Sequence, residues 1–268
     1  MRRLIMKILT IYDGTLQSKT ALHYGINKAR EKGGELVVLH VFQSTLFIDY
    51  GAGPVAEELA RTEWAQHAGA AKKIIDEEGS GVLIRLQAEE GEPEQELLRC
   101  AISERPDLIL ATPRYKGVTK AAPCPVYIMP GTILVPVDNS DAALAGLDKI
   151  IGEAKATGSK VLLLGIVSIH LYSAGEKKEL EEVRHNTVAA MKKIKKALAG
   201  QKIEASELVR SGYPDEEILK AAGEQAVSLI ILPGGGKTPS ELTKAASILL
   251  DEPERIKQPV YTLQAAEA

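Results

Sequence analysis

Along this chain, short runs of aliphatic residues alternate with longer stretches whose apolar positions recur at helical spacing. The first run, Lys7-Ile8-Leu9-Thr10-Ile11-Tyr12, ends in Asp13-Gly14-Thr15, and Leu36-Val37-Val38-Leu39-His40-Val41 follows a helix-length interval later. Runs of the same kind are Asp107-Leu108-Ile109-Leu110, Val126-Tyr127-Ile128-Met129, Ile133-Leu134-Val135-Pro136-Val137, Val161-Leu162-Leu163-Leu164, Leu229-Ile230-Ile231-Leu232 and Val260-Tyr261. Continuous Val, Ile and Leu runs, in place of strict alternation, predict strands buried on both faces of a parallel sheet. Between them, Leu180, Val183, Thr187, Met191, Ile194 and Leu198 keep helical spacing and predict one long helix over 176–199. Residues 54–78 predict its counterpart in the first half, preceded by a glycine-rich stretch at 49–53 that reads as a mobile loop. Leu144, Leu147, Ile150, Ile151 and Ala154 form the apolar face of a further helix, capped from Asp138-Asn139-Ser140-Asp141 and ended by Gly158.

The pattern then repeats itself. Lys7-Ile8-Leu9-Thr10-Ile11-Tyr12-Asp13-Gly14-Thr15 returns as Thr132-Ile133-Leu134-Val135-Pro136-Val137-Asp138-Asn139-Ser140. Gly91-Glu92-Pro93 returns as Gly212-Tyr213-Pro214, Asp107-Leu108-Ile109-Leu110 as Ser228-Leu229-Ile230-Ile231, and Cys124-Pro125-Val126-Tyr127 as Gln258-Pro259-Val260-Tyr261. Correspondences in one order define a tandem duplication, with domains at 1–130 and 131–268. Each copy alternates strands with helices and closes on a last strand, which places the chain in the α/β class with a parallel sheet per copy.

Composition narrows the function classes. With 268 residues and 45% hydrophobic content there is material for two packed cores. Lys and Arg number 33 against 36 Asp and Glu, a net charge of −3, which argues against an electrostatic nucleic-acid binder. The pairs Lys192-Lys193 and Lys195-Lys196 read as a solvated helix face. Cys100 and Cys124 have neither metal-ligand spacing nor the density of a disulfide scaffold, so they read as core thiols of a reducing cytoplasm. Lys7 interrupts the N-terminal apolar run and Asp13 soon ends it, so neither a signal peptide nor a membrane span is expected. The histidines His23, His40, His67, His170 and His185 form no ligand or triad spacing, and no catalytic or metal residue is assigned. His40, at a strand end beside Asp13, reads as a structural polar residue.

The stretch with most chemistry is Leu232-Pro233-Gly234-Gly235-Gly236-Lys237-Thr238, a glycine cluster between a strand and a helix-forming run. A P-loop is rejected, because the position that must hold its first glycine is Ile231. The spacing Pro233-x2-Gly236-x9-Ala246-Ser247 instead resembles the nucleotide loop of the universal stress protein family, Gly-x2-Gly-x9-Gly-Ser, with two of four named positions kept. Together with Ile133–Ser140, Leu162-Leu163-Leu164, Gly212-x-Pro214 and Pro259-Val260, it makes both halves similar to domains of that family.

The resemblance implies two five-stranded α/β sandwiches of the adenine-nucleotide-binding type, each with strand order 3-2-1-4-5. It further implies a pseudo-dimer pairing the two final strands within one chain, with homo-oligomers left open. By matching position, Pro136 and Asp138 end the first strand of the second copy and Ile166 and Val167 end its second. Leu232, Gly234, Gly235 and Gly236 form the phosphate loop, with Ser247 at the helix start. The implied ligand is ATP or another adenine nucleotide, with Mg²⁺. Pro233 and Ala246 depart from the pattern, removing a donor and a close backbone approach, while Lys237 or Lys244 offers charge in compensation. Pro253 is expected to end the last helix near Asp251-Glu252.

The first copy has only residues 111–124 between Leu110 and Pro125, too few for both loop and helix. Asp13 is therefore expected to cap the next helix with Gly14 and Thr15, and Arg114 and Lys116 to lie in a solvated loop. The functional expectation is a cytoplasmic stress-response regulator whose second domain reports nucleotide occupancy through loop ordering. Two alternatives stay open: a scaffold acting through an unknown protein partner, and a slow ATPase.

Overall fold

Each half of the chain builds one five-stranded parallel sheet. The structure, a computed structural model, describes residues 6–42, 53–138, 140, 142–173, 175–234 and 240–263. In the first half β1 (Lys7–Ile11), β2 (Glu35–Phe42), β3 (Leu83–Glu90), β4 (Leu108–Ala111) and β5 (Val126–Ile128) lie in the order β3-β2-β1-β4-β5. In the second, β6 (Thr132–Val137), β7 (Lys160–Val167), β8 (Ala205–Ser211), β9 (Leu229–Leu232) and β10 (Val260–Thr262) lie as β8-β7-β6-β9-β10, the same order. The chain divides into two compact units, Met1–Met129 and Pro130–Ala268.

The registers repeat as well. In the first sheet Ile8 stands between Leu36 and Leu108, and in the second Ile133 stands between Val161 and Leu229. Helices cover these strands: α1 (Leu16–Lys32), α2 (Gly53–Glu78) and α3 (Pro93–Glu104) in the first unit, with a 3₁₀ helix at Pro113–Lys120. The second unit has α4 (Ala142–Ala145), α5 (Leu147–Thr157), α6 (Lys177–Gly200), α7 (Pro214–Glu224) and α8 (Glu241–Asp251), with a 3₁₀ turn at Pro253–Arg255. Leu9, Ile11, Val37 and Leu39 pack on Leu97, Ala101, Tyr115 and Val118. The matching layer sets Leu134, Leu164 and Ile166 against Ile218, Leu242 and Leu249. Each such side chain contributes about 1.5–3 kcal/mol on leaving water, which makes these aliphatic runs the chief support of the fold.

The repeated Gly-x-Pro has a structural reason. Gly91 and Gly212 adopt φ of 149° and 156°, and a Cβ there would press on Glu96 and Glu217 respectively. Pro93 and Pro214 then open α3 and α7, where a missing N–H costs nothing.

Two features differ from the pattern. The single helix expected to end at Gly158 is two, α4 and α5, broken at Gly146, where a Cβ would lie 2.3 Å from Cδ1 of the buried Leu263. The stretch at 49–52 lies outside the described residues, and Gly53 opens α2. As expected, α8 stops at Asp251 ahead of Pro253. Burial pushes both thiols, Cys100 and Cys124, up to about 11, as befits unreactive packing residues. Among the described residues no helix is long and apolar enough to cross a membrane.

Candidate functional site

Open parallel sheets offer ligand crevices at the carboxyl ends of their strands, where the strand order reverses. Here that point falls between β1 and β4 in one unit and between β6 and β9 in the other. Asp13 follows β1 and Asp138 follows β6.

In the first unit the crevice is filled by the chain itself. Thr15, not Asp13, caps α1, its hydroxyl accepting from Ser18 N at 3.2 Å. Asp13 accepts from Thr15 N at 3.1 Å and Thr15 Oγ1 at 2.6 Å, so it braces the capping loop one step removed from the cap expected of it. It also accepts from the Tyr115 hydroxyl at 2.9 Å, and Arg114 stands 3.6 Å away. Tyr115 is 3% exposed and belongs to the short 3₁₀ helix that stands where the second unit has α8. Burial raises the Asp13 carboxyl, but hydrogen bonds from Thr15, Ser18 and Tyr115 outweigh it and hold the group below the ordinary carboxylate range. Burial first, then the Asp13 charge, pushes the Tyr115 hydroxyl well above its usual value, so it stays protonated and donates.

His40 is buried, with Nδ1 2.8 Å from the Tyr12 carbonyl and Nε2 3.3 Å from the Trp64 carbonyl. Its ring stacks on Trp64. These contacts give it the structural role expected of it.

The second unit is different. Asp138 accepts from Ser140 N at 2.9 Å and from the Ser140 hydroxyl, and among the described residues these are its hydrogen bonds. Pro136 lies within β6 opposite Leu164, and Ile166 and Val167 end β7, both buried. Leu232 ends β9 with its carbonyl taken by Leu263 N at 2.9 Å. Gly234 follows Pro233 behind that strand, whereas Gly235, Gly236, Lys237 and Thr238 lie outside the described residues. Asp138, Pro136, Ile166, Val167, Leu232 and Gly234 thus gather at the carboxyl end of one sheet.

Ser247 stands apart from them, exposed in the second turn of α8. The helix begins earlier because Ser240 caps it. Ser240 Oγ accepts from Thr243 N at 3.2 Å, and Thr243 Oγ1 accepts from Ser240 N at 2.8 Å, a reciprocal pair that satisfies otherwise free donors. Ser240-x-x-Thr243 was the available sequence signal for this start.

Sequence reasoning also missed the rim beside α8. His170, in the turn after β7, stacks on Tyr213 at 4.2 Å, and its Nε2 lies 3.7 Å from Glu241 Oε2. Lys244 Nζ reaches Glu241 at 2.7 Å. That hydrogen bond, against some burial and with help from His170, holds the Glu241 carboxyl below its ordinary range. Among the described residues no group of three His, Cys, Asp or Glu is arranged to hold a metal ion.

The sequence pattern of the universal stress protein family matches residues 5–130 and again 129–243, the second match ending short of Ser247. No curated protein matches the chain. Among solved structures, a universal stress protein from Archaeoglobus fulgidus is 18% identical, covering 97% of this chain and 97% of its own, with TM-score 0.40. One from Lactobacillus plantarum is 21% identical, covering 51% of this chain and 99% of its own, with TM-score 0.42. A universal stress protein solved in complex with cAMP is 17% identical, covering 52% of this chain and 99% of its own, with TM-score 0.37. With the family pattern matched along both halves, on two sheets of one strand order, the chain belongs to the universal stress protein family.

Proposed function

We propose that the C-terminal domain binds an adenine nucleotide, that the N-terminal domain does not, and that occupancy of the one site is the signal of a cytoplasmic stress-response regulator. The observation that carries this reading is the contrast between two aspartates at equivalent strand ends. Asp13 is engaged by Tyr115 from its own domain, while Asp138 has Ser140 alone as hydrogen-bond partner among the described residues. A carboxylate accepts hydrogen bonds from ribose hydroxyls, and open parallel sheets bind ligands at these strand ends. Asp138 is a single carboxylate, so Mg²⁺ would depend on a ligand's own phosphates for the rest of its oxygen shell.

The test is calorimetric titration of nucleotide-stripped protein with adenosine, cyclic AMP and ATP, the last with and without Mg²⁺, using wild type and Asp138→Ala. Heat corresponding to about one ligand per chain, lost in the variant, supports the proposal. A second reading, a scaffold that works through protein contacts, draws on Pro233 and on the self-satisfied cap of α8. It becomes the better one if no ligand gives heat or raises the melting temperature. Release of inorganic phosphate from ATP would instead favour the slow ATPase.

A further inference from the structure

The two copies join the long helix to the sheet by different means. His40 of β2 corresponds to Gly165 of β7, each near the carboxyl end of its strand. At Gly165 the joint is apolar: a Cβ there would lie 2.4 Å from Met191 Sδ and 3.2 Å from Thr187 Cγ2, so side chains of α6 fill the place. At His40 the joint is polar. The ring is buried, with Nδ1 2.8 Å from the Tyr12 carbonyl and Nε2 3.3 Å from the Trp64 carbonyl of α2.

Both partners are carbonyl oxygens, which only accept. A neutral imidazole has one N–H and serves one of them, leaving its other nitrogen lone pair against an oxygen; an imidazolium has two and serves both. The indole of Trp64, stacked on the ring at 6.0 Å with 18° between the planes, offers the face of its π-system to that charge. Around the ring, β1 brings Tyr12 edge-on at 6.4 Å, with Asp13 next in the chain. Burial pushes the Tyr12 hydroxyl up, so it stays neutral. On β3, Ala88 stands opposite His40, and Glu90 opposite Phe42. From α2 comes His67, at 6.1 Å, the other group here that titrates in the imidazole range.

We propose that His40 is a pH-operated clasp of the first domain: doubly protonated it ties α2 to the sheet through the Trp64 carbonyl, and on losing a proton it lets α2 loosen. The shorter bond, to Tyr12, keeps the remaining proton. Imidazole exchanges these forms between about pH 5 and pH 8, so α2 is held at the acid end of that range and released at the other. Loosening α2 reaches the turn after β1, because His67 lies where a Cβ of Gly14 would stand, 2.6 Å from its Cδ2. In the second domain the same place holds Gly165 and Met191, neither of which titrates. One half of the duplicated chain thereby answers to pH, independently of any nucleotide.

The experiment is amide exchange of the full chain at about pH 5 and about pH 8, corrected for intrinsic rates, with α2 from Trp64 onward read against α6 in the same molecule. Fluorescence of Trp64, the sole tryptophan, follows the ring stacked on it. In wild type the protection of α2 relative to α6 is expected to fall about tenfold from the lower pH to the higher, the scale of one hydrogen bond to a charged group, and the emission should change over the same range. His40→Gln, neutral throughout, should abolish both changes, and His67→Gln should keep them. A constant ratio in wild type overturns the clasp, even if the emission titrates. A change that survives in His40→Gln, or disappears in His67→Gln, assigns it to another group and overturns it as well. Should His40→Gln not fold, wild type and His67→Gln decide the matter.

Discussion

Asp13 and Asp138 stand at the same point of two sheets with the same strand order, and they have opposite surroundings. One is held by Thr15 and by Tyr115 from a shortened connection. The other is held, among the described residues, by its neighbour Ser140. The strand framework did not decide this; the length of the segment after the fourth strand did. In the first domain the segment is a brief 3₁₀ helix that lays Tyr115 against the core, whereas in the second it includes the eleven residues of α8. The crevice at the end of β1 thus has a tyrosine of its own domain on its aspartate, with the rest of the sheet left alone.

The hardest way to break the comparison is to remove the plug. Tyr115→Ala takes out a fully packed ring and is expected to cost the first domain about 3–4 kcal/mol, read as a lower urea midpoint of that domain. It should not create nucleotide binding there, since no phosphate-side segment exists to complete a site. A gain of binding would show that the tyrosine alone closes it.

Next in size is the effect on the ligand. Asp138→Ala should cost about 2–3 kcal/mol of binding, a loss of roughly 30- to 150-fold, as for a hydrogen bond to a charged group. Asp13→Ala should leave the titration unchanged within error. Equal losses from both would mean that the domains share the work.

A finer cut is Tyr115→Phe, which keeps the ring and deletes the hydroxyl that donates to Asp13, at about 1–2 kcal/mol. Its pH dependence has a definite sign. Because the folded Asp13 carboxyl is held below its unfolded value of about 3.9, its contribution is present above that pH and is lost as the pH falls through the folded value. Urea midpoints of the first domain should drop between pH 5 and pH 3 in wild type and drop less in Tyr115→Phe. The smallest effect belongs to the second domain. Ser240→Ala removes one half of the reciprocal cap and should cost about 1 kcal/mol, visible as faster amide exchange in the first turn of α8.

Much of this architecture was legible in the residues. Ile8-Leu9 and Ile133-Leu134, Leu36-Val37 and Val161-Leu162 announce buried parallel strands because double-sided burial admits little else, and their recurrence exposes the duplication. Pro253 ended α8 for the reason a proline ends any helix. What escaped depended on distance in space. Nothing near Tyr115 in the sequence says that its hydroxyl meets Asp13, 102 positions away. Gly146 reads as a tolerable helical glycine until Leu263 is seen to occupy the space of its missing side chain. The place of Ser247 escapes for another reason: the family spacing sets it at a helix start, while the local signal, Ser240 with Thr243, opens α8 earlier.

The contact between Gly146 and Leu263 reaches into the order of synthesis. Met129, the last residue of the first unit, emerges from the ribosome while much of the second is still unmade, so the N-terminal domain has every residue it needs to fold early. The C-terminal domain has no such interval. Its first two helices close around Leu263, which is translated long after them, and its outermost strand, β10, is completed at the same moment. The half that carries Asp138 is therefore completed after the half that carries Asp13, and nascent chains stalled before residue 263 should carry a protease-resistant first domain attached to a second that is still digestible.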